Sequence, residues 1–160
     1  MQVDYESSER GARARELFTA GYNCSQAVLL AYEDLCGLSH EEAARLASSF
    51  GGGMGRMREV CGAVSGMSMV AGLAYGYSDP TDRAAKAEHY RRIQELAGEF
   101  RERNGSIVCR ELLGLSPGPD RPDPSERTAG YYRKRPCQEL VFDAAAILEA
   151  YIAEHPLPAS

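Results

Sequence analysis

Five cysteines are spread over this chain, and four of them stand where a helix is expected to begin. Cys24 follows Asn23, Cys61 opens a long uncharged run, Cys109 comes three residues after Ser106, and Cys137 follows Pro136. Asn and Ser are favoured N-caps, and Pro is favoured in the first helical turn. A helix N-terminus presents unpaired N–H groups and a partial positive charge, which favour a thiolate over a thiol. The thiolate is the form that binds metals and attacks disulfides. The fifth cysteine, Cys36, is expected in the last turn of a helix, where the dipole disfavours a thiolate, and it reads as core packing.

No two of the four are spaced as Cys-x-x-Cys, so a zinc ribbon, a thioredoxin motif and haem attachment through Cys-x-x-Cys-His are all absent. If the four meet, tertiary packing brings them together. An odd count excludes complete disulfide pairing within one chain. Residues 1–10 are polar and acidic and do not resemble a signal peptide, so a reducing cytoplasm is the expected compartment. There, cysteines serve more often as metal ligands or redox groups than as staples. Buried, inert cysteines are the plain alternative.

Small residues flank one of the sulfurs. Gly62 and Gly66 lie beside Cys61 and one turn beyond it, leaving room for a cofactor, a substrate or another helix. Gly51, Gly52 and Gly53 are followed by no Gly-Lys-Ser/Thr, so a phosphate loop is rejected in favour of a lid or connection near Cys61. Met54, Met57, Met67 and Met69 suit core filling. His40, His89 and His155 are isolated and expected in solvent. No Ser-His-Asp or paired-carboxylate pattern can be defined, so nothing marks a site that turns over a substrate.

The elements that must position the cysteines read as all-α: a compact bundle of about six to seven helices in a single domain over residues 1–160. Helical spacing and capping signals predict helices over 8–20, 23–36, 39–50, 61–78, 79–104, 106–113 and 136–154. Gly37 is placed to cap the second, and Ser39 with Glu42 forms a capping box for the third. Residues 116–126 hold four prolines and must be a loop. The run from Val60 to Ser78 carries no charge, but it lacks the Leu, Ile and Phe density of a membrane span. It reads as a buried, small-residue-rich central helix, and no membrane insertion is expected. The net charge of −5 argues against nucleic acid as a partner. Arg133, Lys134 and Arg135 are read as solvated positions.

Taken together, the cysteine set resembles a family named for suspected redox activity, defined by four cysteines and a Cys-Gly-Ala-x-x-Gly motif. That motif stands here as Cys61-Gly62-Ala63-Val64-Ser65-Gly66. Gly21-Tyr22-Asn23-Cys24-Ser25-Gln26-Ala27 is similar to the family's first-cysteine segment, Cys109-Arg110-Glu111-Leu112-Leu113-Gly114 to its third, and Cys137 with its helix to its fourth. The resemblance covers about residues 12–153. A related module occurs in split-Soret cytochromes, which carry an iron–sulfur centre, although this chain lacks their haem motif. The resemblance therefore implies an all-helical protein with Cys24, Cys61, Cys109 and Cys137 as ligands of an iron–sulfur cluster, [2Fe–2S] in preference to [4Fe–4S]. The role expected is electron transfer or redox sensing with a redox partner protein, in a possible homodimer. Two alternatives stay open: a metal-free thiol/disulfide protein, and a structural four-cysteine zinc site in an interaction module.

Overall fold

A computed structural model describes residues 4–158. Among these, nine α-helices follow one another: α1 (Glu9–Thr19), α2 (Cys24–Leu30), α3 (Glu33–Cys36), α4 (His40–Ala47), α5 (Gly62–Tyr75), α6 (Arg83–Asn104), α7 (Cys109–Leu112), α8 (Ala129–Lys134) and α9 (Cys137–Glu154). The all-helical bundle expected from the sequence is present, with more and shorter helices. No helix among the described residues is long and apolar enough to cross a membrane.

The expected helix over 23–36 is two. It breaks at Tyr32, whose φ of −117° and ψ of 23° leave the helical region. The Tyr32 ring is fully buried, and its hydroxyl donates to the Ala145 carbonyl at 2.7 Å, so a tertiary anchor overrides local helix propensity. Gly37 ends α3 in the left-handed conformation expected of it. The Ser39–Glu42 capping box forms, but α4 passes into a 3₁₀ turn over Ser48–Phe50. Helix α6 starts at Arg83 rather than 79, capped by the Asp82 side chain.

Helix α9 forms the centre. It is buried continuously from Leu140 to Leu148 and packs on α1, α2, α5 and α6. Helices α2 and α5 make the other close pair. Glycine sets their spacing: a Cβ on Gly62 would lie 2.9 Å from the Phe50 carbonyl oxygen and 3.1 Å from the Cys24 Cβ. Gly66, one turn on, faces the Ser25 carbonyl oxygen in the same contact. Of the described methionines, only Met67 is fully buried; Met54 and Met57 are exposed, because the turn that carries them lies on the surface rather than in the core.

Candidate functional site: a cavity lined by four cysteines

Two short backbone segments bring Cys61 and Cys109 side by side. Val60 and Val108 form an isolated antiparallel β-bridge. The Cys61 N–H donates to the Ile107 carbonyl at 2.8 Å, and the Cys109 N–H donates to the Glu59 carbonyl at 2.6 Å. Helices α5 and α7 thus leave from neighbouring points. The glycine-rich turn closes over Cys109: Gly53 has a φ of +68°, and a Cβ there would meet the Cys109 Cβ at 2.6 Å. Only glycine satisfies both constraints at once.

Cys24 is fixed from the other side. Asn23 and Gln26 form a reciprocal capping box, with Gln26 N donating to Asn23 Oδ1 at 2.9 Å and Asn23 N donating to Gln26 Oε1 at 3.0 Å. The Gln26 amide then donates to the Ala44 carbonyl and ties α2 to α4. Cys137 is the first residue of α9, directly after Pro136. All four cysteines line one cavity of about 510 Å³, whereas Cys36 does not.

Burial and charge act differently on the four sulfurs. Burial pushes the Cys61 thiol up to about 12, even though the backbone N–H groups of Ala63 and Val64 point at its sulfur. Burial also raises Cys109, against the pull of the Arg58 guanidinium, whose Nη1 donates to Cys109 Sγ at 3.6 Å. Cys24 and Cys137 interact side chain to side chain. That contact raises Cys24 and lowers Cys137 to about 7, with Arg135, Arg127 and Arg58 drawing Cys137 further down against its own burial. Among the four, helix-start N–H groups favour the thiolate at Cys61, where burial outweighs them; Cys137 is lowered by the Cys24 thiol and by arginines rather than by its place at the start of α9. Helices α2 and α7 have only seven and four residues, so their dipoles are too small to outweigh desolvation.

Four cations that no sequence motif marks also face the site. Arg56, Arg58, Arg127 and Arg135 line the cavity, and among the described residues no Asp or Glu does. The Asp120 carboxylate, from the proline-rich loop, accepts from Arg56 at 3.1 Å and from Arg58 at 2.9 Å. The loop enters the site through Pro122, Pro124 and Ser125. Arg135, expected in solvent, is half-buried, because α8 folds the chain back against the cavity. The glycine-rich turn is a wall of the cavity packed on Cys109, rather than a cover for Cys61. Among the described residues, no three His, Cys, Asp or Glu side chains converge on a position for a single metal ion.

A family model described as "Putative redox-active protein (C_GCAxxG_C_C)" matches residues 22–151, a span that includes all four cavity cysteines. No curated protein and no solved structure gives a significant match to the chain.

Proposed function

Because the chain belongs to the C_GCAxxG_C_C family of redox-active proteins, we propose that Cys24, Cys61, Cys109 and Cys137 hold an iron–sulfur cluster, [2Fe–2S] in preference to [4Fe–4S], for electron transfer or redox sensing in the cytoplasm. One observation carries this reading: four thiols from four separate helix starts line a single cavity without a carboxylate or histidine among them. A soft, all-sulfur donor set suits iron–sulfur clusters. A cluster distributes its four ligand sulfurs over two or more irons, which suits thiols set around a cavity. A zinc ion draws four sulfurs to about 2.3 Å from one point, and these side chains would have to move to provide that.

The chain's own residues have defined parts in this reading. The N–H groups of Ala63 and Val64 and the Arg58 guanidinium donate toward sulfur, which stabilises thiolate charge and raises a reduction potential. Arg127 and Arg135 offset the charge that four thiolates accumulate. A bound cluster would accept and release single electrons. Gly62 and Gly53 keep Cβ atoms away from Cys24 and Cys109, so the sulfurs can face the cavity.

One observation favours a second reading, in which the chain works without metal. The Cys24–Cys137 contact pairs a raised thiol with a lowered one, the arrangement of an attacking thiolate beside its partner. Oxidation would join the two sulfurs with loss of two protons and two electrons, reducing a partner disulfide to two thiols.

Purification without oxygen, followed by iron, sulfide and zinc analysis beside the visible spectrum, separates these readings. Near-equal iron and sulfide in a brown protein is the result expected. A colourless, metal-free protein that also fails to take up iron and sulfide on reconstitution sinks the cluster. Stoichiometric zinc would restore the structural site.

A further inference from the structure

The chain carries a net charge of −5, yet the cavity that its four cysteines line also holds four arginines and, among the described residues, no carboxylate. Two of these cations are engaged elsewhere. Arg127 donates to the Phe18 and Tyr22 carbonyls and lies over the Phe18 ring, which pins the chain before α8 onto the end of α1. Arg56 is occupied by the Arg121 carbonyl, Ser125 and Asp120.

Arg135 has capacity left, and Arg58 adds its charge to the same cavity. Arg58 is 3% exposed, with Nη2 on Asp120 and Nη1 on Cys109, and its buried Nε has no hydrogen-bond partner among the described residues. Arg135 forms no ion pair among the described residues; its guanidinium lies 5.1 Å from the centroid of the Tyr131 ring. Its charge acts on both Cys109 and Cys137. The Asp120 carboxylate is shared between Arg56 and Arg58 and does not pair with Arg135.

We propose that this cavity binds a small oxyanion-bearing ligand, a carboxylate or an inorganic oxyanion, at the unpaired Arg135 guanidinium, in the cavity that Arg58 and Cys137 also line. The inference goes beyond the cluster reading and does not depend on it, since the arginines hold their charge whether or not the thiols carry iron. It makes the cavity a place where an anion meets the redox sulfurs, rather than a sealed container for a cofactor.

The test uses the full-length chain, reduced and metal-free, with two alkylating probes of similar size. Iodoacetate carries a carboxylate and iodoacetamide is neutral; the ratio of their rates at Cys137, read by peptide mass spectrometry, cancels the thiolate fraction that both share. For free glutathione the same ratio gives the reference. The proposal expects the Cys137 ratio to exceed that reference by roughly tenfold or more. It also expects inorganic sulfate to slow iodoacetate more than chloride does at equal ionic strength, which separates a site from general screening. Arg135→Gln should bring the ratio back to the reference and Arg135→Lys should keep part of the excess. Arg58→Gln should lower it too, and Arg135 provides the test if that variant does not fold. A wild-type ratio equal to that of glutathione overturns the proposal, as does an excess that Arg135→Gln leaves intact or that sulfate and chloride reduce equally. Iron and sulfide analysis judges the cluster separately, so either idea can fail alone.

Discussion

Cys36 and Cys137 are buried to the same degree, each 6% exposed, and they are opposite in chemistry. At the end of α3, Cys36 Sγ donates to the Tyr32 carbonyl at 3.1 Å, and burial with the charges of Asp34 and Glu33 pushes its thiol up to about 11. At the start of α9, Cys137 is brought down to about 7 by the Cys24 thiol and by Arg135, Arg127 and Arg58. At equal exposure burial raises both thiols, and the neighbours decide whether that rise stands: carbonyl oxygens and carboxylates add to it at one end, a thiol donor and guanidinium groups reverse it at the other. A buried cysteine becomes reactive here through the charges that face it.

The sharpest way to break that contrast is to label both thiols at pH 7 in the reduced, metal-free protein. Cys137 should react on the order of a hundredfold faster than Cys36, after allowing for the lower intrinsic nucleophilicity of the more acidic thiol. Its rate should rise to half-maximum near pH 7, whereas that of Cys36 should still be climbing at pH 10. Similar rates at pH 7 would remove the electrostatic distinction between the two ends.

Glycine offers a second comparison, between a wall of the cavity and an open helix face. At Gly53 an alanine meets the Cys109 Cβ and must hold a φ of +68°, so Gly53→Ala should destabilise by about 2–3 kcal/mol. At Gly98, within α6, a Cβ meets nothing within 4 Å, so Gly98→Ala should stabilise by about 0.5–1 kcal/mol. Urea midpoints of the two variants check the sign of each. A tolerated Gly53→Ala would mean that the turn does not have to seat against Cys109.

An effect of similar size to that of Gly98→Ala is expected in alkali. Thiols held protonated by the fold, Cys36 at about 11 and Cys61 at about 12, ionise at lower pH once unfolded. Between those values the unfolded chain binds fewer protons, so stability is fully present below about pH 9 and is lost as pH rises through the folded values. Cys36→Ala should flatten this decline by on the order of 1 kcal/mol at pH 11, seen as a smaller shift of the urea midpoint between pH 8 and pH 11. An unchanged slope in Cys36→Ala would show that its raised thiol does not contribute.

What was legible in the chain follows the range of each signal. Caps are local, so Asn23 with Gln26, Ser39 with Glu42, and Gly37 announce helix ends that the structure contains. The break at Tyr32 depends on a carbonyl more than a hundred residues away, and no local pattern encodes it. The four cysteines could be picked out as a set, but their meeting rests on the Val60–Val108 bridge and on the α2–α5 approach at Gly62. Arg58 and Arg135 were missed for a related reason. Each sits in a connecting segment, where a cation is solvated by default, and only the fold turns those segments inward. A long proline-rich loop beside an uncompensated basic run was the one available hint, since loops of that length in compact domains often serve a site.

The central claim is that the four cavity cysteines act as one unit from which Cys36 is excluded. Five single variants, each with one cysteine replaced by Ala, should be purified without oxygen and compared for iron and sulfide per chain. The account predicts that Cys36→Ala keeps its cluster, while Cys24→Ala, Cys61→Ala, Cys109→Ala and Cys137→Ala each lose most of it, by roughly tenfold or more at Cys61. Equal loss in Cys36→Ala and Cys61→Ala would contradict it.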